Sequence, residues 1–145
     1  MGNNMLDKDK ISGTCRRYLV ESILTTAALV LLALGLAYCL SIDSIVAPLT
    51  VSAVFSIVVN ALDGLIWKKV ASSSEESLPT FYTAVSGFRM LLALATLLVC
   101  YLIVGRDAML VYCLTFIGFY FIHLAHHAIF FARVSNAHGK FDKEK

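Results

Sequence analysis

Three histidines near the C-terminus have the spacing best suited to chemistry. His123, His126 and His127 form an HxxHH run, and the four-residue step places His123 and His127 on one face of a helix. Two histidines at this spacing can bind one metal ion, as in the HExxH motif, with Asp63 or Glu21 as a third ligand. We therefore expect neutral histidines packed at a helix end and no cofactor, with a metal or proton site, holding magnesium or zinc as the ion, as the alternative.

Arg89 is the second residue of interest because it stands in the middle of an apolar stretch. An arginine at the centre of a membrane helix costs about 2.5–3.5 kcal/mol on insertion scales, so it needs a partner or a wet cavity. Asp63 and Glu21 are the acidic residues at a reachable depth. We predict an Arg89–Asp63 ion pair with Glu21 as a second acceptor, and with Asn60 in the same intramembrane polar cluster. The pair either fixes helix packing or marks an ion or partner site, and the third interpretation is an arginine that simply snorkels to the membrane surface.

His126 lies on a different helical face from the other two histidines. Together with Tyr120, it is a candidate contact for lipid headgroups or another subunit. The chain holds no nucleophile–base pair, no phosphate-binding glycine loop and no pair of catalytic carboxylates in a cleft. We therefore expect no enzymatic activity, and tails this short and mixed in charge do not indicate nucleic-acid binding.

These residues must be positioned by membrane helices. The 145 residues are 59% hydrophobic and 15% charged, whereas soluble domains carry about 25% charged residues. The apolar residues lie in blocks of roughly 20, the length that crosses the hydrocarbon core. This composition excludes a soluble globular enzyme, a disordered tail and a disulfide-stapled module. It predicts an all-α integral membrane bundle of four transmembrane helices, residues 18–133, with spans at about 18–40, 45–67, 81–104 and 108–132.

Short turns at 41–44 and 105–107 and a longer polar loop at 68–80 divide the spans into two helical hairpins. Lysines and arginines number four, two and four in the N-terminal tail (1–17), middle loop and C-terminal tail (134–145 with Arg133), against Arg106 in the short turns. By the positive-inside rule, both termini are expected in the cytoplasm.

Each predicted helix carries one stripe of small or polar residues, which is the face on which membrane helices pack. Cys39 and Cys100 lie near the outer helix ends, where a disulfide is geometrically possible, although small buried side chains are the alternative. The stripes are Glu21-Thr25-Ala28-Leu32-Gly35-Cys39, Ser52-Ser56-Asn60-Asp63-Trp67, Tyr82-Ser86-Arg89-Ala93-Thr96-Cys100 and Met109-Cys113-Phe116-Tyr120-His123-His127.

The second half of the chain resembles small four-helix proteins of the ATP synthase protein I type. The resemblance lies in FYTAVSGFRMLL (81–92), FIGFY (116–120) and FFAR (130–133), within residues 80–133. In that family a basic residue opens the apolar part of the third helix, where Arg89 stands. An acidic residue is common late in the fourth helix, where this chain has His126 and His127.

This resemblance implies an accessory role in a bacterial inner membrane, assisting assembly or stability of the F-type ATP synthase membrane sector. It also implies involvement in magnesium supply, although magnesium requires oxygen ligands that the two histidines do not provide. The partners would be membrane lipid and ATP synthase membrane subunits. The alternative is a small four-helix transporter or flippase. It would be either GtrA-like, moving lipid-linked sugars, or a homo-oligomeric ion or magnesium transporter with Arg89 on the substrate path.

Overall fold

The fold is described from a computed structural model, for residues 3–73 and 78–143, with side chains described for 8–73 and 79–137. Within these residues the chain is helical and contains no strand. Each helix is long and apolar enough to cross a membrane, which confirms the predicted all-α membrane bundle. The helices are α1 (Asn3–Leu40), α2 (Val46–Ser73), α3 (Leu78–Val104) and α4 (Arg106–Lys143).

The helices continue beyond the predicted spans. Because α1 begins at Asn3 and α4 ends at Lys143, the predicted tails are helical wherever the structure describes them. α2 likewise continues to Ser73, so much of the predicted middle loop is helix. Hydropathy identifies only the apolar segment of a helix, the part that can lie in lipid. Charged residues are also good helix formers, so a helix can continue past this segment at either end without a hydropathy signal.

Both short turns close a helix with a residue in the left-handed region. Ser41 has φ 54°, and the amides of Ser41 and Ile42 donate to the carbonyls of Tyr38 and Ala37, which is the Schellman pattern. Gly105 has φ 78°, and its amide donates to the Tyr101 carbonyl. The chain therefore reverses direction abruptly after α1 and after α3.

The two turns predict opposite responses to glycine. Ser41→Gly is expected to stabilise the protein by about 0.5–1 kcal/mol, because glycine adopts positive φ without a Cβ penalty. Gly105→Ala is expected to destabilise it by a similar amount for the same reason. Unfolding in mixed detergent micelles measures both changes, and the same sign for the two variants would contradict this account.

The four helices form a bundle in which α2 and α4 are central. The backbone of each of these two helices approaches those of the other three, whereas the backbones of α1 and α3 do not approach each other in the described residues. The starts of α1 and α3 and the ends of α2 and α4 meet at one end of the bundle, which we call the basic end. α1 and α3 therefore lie on opposite sides of the α2–α4 pair.

An aromatic core fills the basic end. The Tyr18 ring lies 5.1 Å from the Phe130 ring and 5.0 Å from the Phe131 ring, and the Trp67 ring lies 5.5 Å from Phe131. Such ring pairs add to the packing energy beyond their buried area. This core holds the four helix ends together, and its buried members are Cys15, Tyr18, Trp67, Phe81, Val85, Phe130 and Phe131.

The predicted packing stripe is correct for α2 and wrong for α1. All five α2 stripe residues are buried, but Ala28, Leu32, Gly35 and Cys39 of α1 are exposed. Glu21 and Ser22 are adjacent, as are Thr25 and Thr26, so two faces of α1 have polar periodicity. Packing of the Tyr18 ring selects the other face, and the buried residues of α1 are Cys15, Tyr18, Ser22, Thr26 and Ala37.

Two further stripe residues differ in a similar way. On α3, Val85 is buried where Ser86 was expected, and Ser86 is exposed. Cys39 is exposed and Cys100 is buried, and both are free thiols. Because α1 turns Cys39 outward, the structure does not form the disulfide that the sequence allowed.

Candidate functional site: a buried polar cluster

Polar side chains from all four helices meet in the interior of the bundle, next to the aromatic core. Each of them is buried. Their convergence is unusual for a bundle of apolar helices, because every uncompensated polar group in such an interior has a free-energy cost. We call this group the polar cluster, and it comprises Tyr18 and Thr26 of α1, Asn60 and Asp63 of α2, Arg89 of α3, and His123 and His127 of α4.

Arg89 is the centre of the cluster and is only 2% exposed. Its Nη1 lies 3.0 Å from Asp63 Oδ2, so the structure contains the ion pair that the sequence predicts. Its Nη2 donates to Asn60 Oδ1 at 2.6 Å. A buried charge pair is stable only when further hydrogen bonds satisfy it. Here α2 supplies both partners from residues three apart, on one helical face.

Glu21 does not join Arg89, which corrects the expectation of a second acidic acceptor. It accepts a hydrogen bond from Arg17 Nε at 2.8 Å, and its Oε2 lies 3.5 Å from His126 Nε2. The layout of the bundle explains this, since Glu21 faces His126 of α4 and the backbones of α1 and α3 do not approach each other in the described residues. The amide oxygen of Asn60 takes the place that Glu21 was expected to occupy.

The hydrogen bonds of Asn60 determine the state of His123. Arg89 can only donate, so the atom facing it is Asn60 Oδ1, which also accepts from the Tyr18 hydroxyl at 3.2 Å. Asn60 Nδ2 then donates to His123 Nδ1 at 3.0 Å. A nitrogen that accepts carries no proton, so His123 is neutral with its proton on Nε2.

The network continues from His123 into α1. His123 Nε2 lies 3.1 Å from Thr26 Oγ1 and donates to it. The Thr26 hydroxyl in turn donates to the Ser22 carbonyl at 2.9 Å. One directed chain of hydrogen bonds therefore runs from Arg89 through Asn60 and His123 to the backbone of α1, linking all four helices.

The paired histidines share a buried face, as their spacing predicts, but the structure gives them different surroundings. Both ring nitrogens of His123 are taken up by Asn60 and Thr26. His127 Nε2 lies 4.0 Å from Asp63 Oδ2 and makes no hydrogen bond with the described residues. No group of three or more metal-ligating side chains is present in the described part of the chain. A magnesium or zinc ion at His123 would have to displace Asn60 or Thr26.

His126 faces α1, which corrects the expectation of an outward contact. Its ring stacks on Tyr18 with centroids 5.7 Å apart, and its Nε2 approaches Glu21. The face of α4 that carries His126 packs against α1, so this side chain contacts a neighbouring helix and not lipid headgroups. Tyr120 is partly buried, and its ring packs edge-on against Phe121 at 6.0 Å.

Comparisons with known proteins add no family to this geometry. No family model, curated protein or solved structure matches the chain. The polar cluster is therefore interpreted from its own contacts.

Sequence reasoning missed the two α1 members of the cluster, Tyr18 and Thr26. The available signal was the spacing of Tyr18, Ser22 and Thr26 at four-residue steps, which defines one helical face. The neighbouring Glu21 and Thr25 give the same spacing, and the presence of a charge favoured that face. The two faces differ in whether their side chains can form hydrogen bonds to the other helices. That depends on how the helices are arranged in the folded bundle.

Gly64 allows α1 to approach α2 closely beside the cluster. A Cβ atom at this position would lie 3.3 Å from both Tyr18 Cδ1 and Leu19 Cδ2. The Cys15 thiol also donates to the Gly64 carbonyl at 3.2 Å. Small residues at such crossings let helix backbones pack tightly in membranes. The position of Tyr18, and hence its bond to Asn60, depends on this close approach.

We expect Gly64→Leu to lower the free energy of unfolding by about 2 kcal/mol, because the new side chain displaces Tyr18 and Leu19. Gly118→Leu in α4 is the matched control, since nothing lies within 4 Å of a Cβ at Gly118. Unfolding of both variants in mixed micelles measures the difference. Equal stability of the two variants would show that the α1–α2 approach does not require glycine.

Proposed function

We propose that the chain is an accessory membrane protein that assists assembly or stability of the F-type ATP synthase membrane sector. The observation that carries this proposal is the closure of the polar cluster. Arg89 is nearly inaccessible, and its Nη groups are used by Asp63 and Asn60. A residue that binds a transported substrate must present its donors to a cavity, whereas these donors join helices.

A closed interior leaves the outer surface of the bundle for interaction. In the half of α1 farther from the basic end, the outward face carries Gly35, which is exposed, and nothing lies within 4 Å of a Cβ at this position. Small residues on a lipid-facing surface allow another helix to approach closely. This face supports the docking of a helix from a larger membrane assembly.

The identity of that assembly is proposed from the resemblance to the ATP synthase protein I type in residues 80–133. The charge distribution supports a cytoplasmic location of both termini, because ten of the lysines and arginines lie in the N-terminal tail, the middle connection and the C-terminal tail, and Arg106 alone lies beside the two short connections. In this orientation the polar cluster and the aromatic core lie toward the cytoplasm. A bacterial inner membrane is the proposed location.

Affinity purification of the tagged protein from mild detergent tests the proposal. We expect ATP synthase membrane subunits to be recovered with it, and loss of the gene to lower the amount of assembled enzyme on native gels. Gly35→Leu should reduce this recovery while leaving the unfolding free energy unchanged. Gly118→Leu, on α4, is the matched control and should recover the subunits normally.

Recovery of the protein alone, as a defined oligomer, with unchanged ATP synthase levels would overturn the assembly proposal. The transporter alternative would then be the better explanation. One observation favours that alternative: Arg89 Nε and His127 Nε2 are buried and lack hydrogen-bond partners within the described residues. A transporter predicts that Arg89→Lys abolishes transport in vesicles while the protein stays folded.

A further inference from the structure

We propose that a groove between α1 and α4 at the basic end binds the phosphate headgroup of an anionic phospholipid. The groove has a volume of about 260 Å³ and opens to the outside of the bundle. Its polar lining comes from Thr14, Arg17 and Glu21 of α1 and Arg133 of α4, over the ring of Phe130. This site is separate from the polar cluster and does not depend on the ATP synthase proposal.

Two guanidinium groups make the groove suited to a phosphate. The Arg17 side chain is 73% exposed, and its Nε is held by Glu21 at 2.8 Å, while its Nη nitrogens have no partner among the described side chains. Arg133 is exposed and likewise has no hydrogen-bond partner in the described part of the chain. A guanidinium group can donate two parallel hydrogen bonds to the oxygens of one phosphate. The Thr14 hydroxyl can donate a further hydrogen bond to the same phosphate.

Glu21 is the carboxylate in this lining, and it opposes an anion. Its charge is directed toward Arg17 and His126, which approach its two oxygens at 2.8 and 3.5 Å. With two arginines and one carboxylate, the groove keeps a net positive charge. Glu21 thus holds Arg17 in place and weakens the affinity at the same time.

The depth of the groove favours a lipid over a soluble anion. Arg17 immediately precedes the predicted apolar span that begins at Tyr18, and Arg133 immediately follows the span that ends at Ala132. Both guanidinium groups therefore lie at the level of lipid headgroups, where interhelical basic pockets bind anionic lipids.

Below the groove, α1 offers a surface for an acyl chain. Residues at three- and four-residue steps from Glu21 lie on the same helical face. Leu24 and Leu31 are 64% and 71% exposed, and Ala28 between them is also exposed. A headgroup between the arginines would place its acyl chain along these side chains.

Native mass spectrometry of the full-length protein in detergent, titrated with phosphatidylglycerol or phosphatidylcholine, tests the site. We expect phosphatidylglycerol to bind more tightly. The variant Arg17→Gln with Arg133→Gln should weaken that binding about tenfold or more, because two basic contacts are lost. The matched control is Arg16→Gln with Lys69→Gln, which removes the same charge from exposed positions at the same end and should change binding less than twofold.

A third variant gives an effect of the opposite sign, which misfolding cannot imitate. Glu21→Gln removes the negative charge but keeps an amide oxygen that can accept the bond from Arg17 Nε, so it should strengthen phosphatidylglycerol binding severalfold. Equal losses in the two double variants would show diffuse attraction and overturn the site, as would no loss in either. Displacement of the lipid by millimolar inorganic phosphate would also overturn the proposal in favour of a soluble anion.

Discussion

Replacement of Arg89 by methionine is expected to lower the free energy of unfolding by about 3 kcal/mol or more. Methionine fills similar space but leaves Asp63 as a buried charge without its 3.0 Å partner and removes the 2.6 Å donor to Asn60. Fluorescence of Trp67, the single tryptophan and a buried part of the aromatic core, reports unfolding as SDS is titrated into mixed micelles.

Two further variants make this prediction specific. Arg106→Met removes an exposed arginine from the first residue of α4 and should change stability by less than about 0.5 kcal/mol. The double variant Arg89→Met with Asp63→Leu should recover most of the lost stability, because no unpaired charge then remains in the interior. A loss in the double variant equal to the sum of the single losses would contradict an ion pair as the source of the effect.

Replacement of Asn60 by leucine is expected to destabilise the bundle by about 2 kcal/mol. Asn60 is 1% exposed and serves three partners, namely Arg89 Nη2, the Tyr18 hydroxyl and His123 Nδ1. Leucine has the same branched arrangement of side-chain heavy atoms, but it can neither donate nor accept, so all three partners lose their hydrogen bond to residue 60. The same SDS titration followed through Trp67 measures the change.

Thr50→Leu provides the matched control on the same helix. Thr50 is exposed, and its hydroxyl bonds only to the Val46 carbonyl one turn earlier. Its replacement should leave stability nearly unchanged. If Asn60→Leu and Thr50→Leu unfold at the same SDS concentration, the bridging role of Asn60 is wrong. Combining Asn60→Leu with Arg89→Met should cost less than the sum of the two, because both remove the bond that the residues share.

The number and type of helices could be predicted from the sequence because lipid imposes strong constraints on length and hydropathy. Arg89 and Asp63 could also be paired, since few charges lie within the apolar spans and Asp63 is at a depth that the long arginine side chain can reach. The buried face of α2 was correct because Ser52, Ser56, Asn60 and Asp63 have no polar neighbours that define a competing face. In each of these cases the sequence favours one interpretation: a helix long enough to span lipid, an acidic partner within reach, or one polar face.

The remaining features depend on neighbours that a single helix does not reveal. On α1, Glu21 and Ser22 define two rival faces, and the Tyr18 ring within the aromatic core decides between them. The outward interpretation of His126 was wrong because its face meets α1, an arrangement set by the diagonal placement of α1 and α3. The rotation of each helix about its axis and the identity of its neighbours are properties of the assembled bundle. The hydropathy of a single helix does not determine either of them.

The position of each cluster residue along the chain also sets the order in which the membrane receives them. During synthesis the N-terminal part of a protein is available first, so Asn60 and Asp63 on α2 leave the ribosome before Arg89 on α3. If the helices insert in that order, the arginine would find both acceptors in place, and pairing lowers the cost of placing its charge in lipid. His123 comes last along the chain, and its bond to Asn60 completes the network only when the final helix is in place. A chain that stops after the third helix would leave the Asn60 amide group without this acceptor, so the interior of the bundle is fully satisfied only in a protein with all four helices.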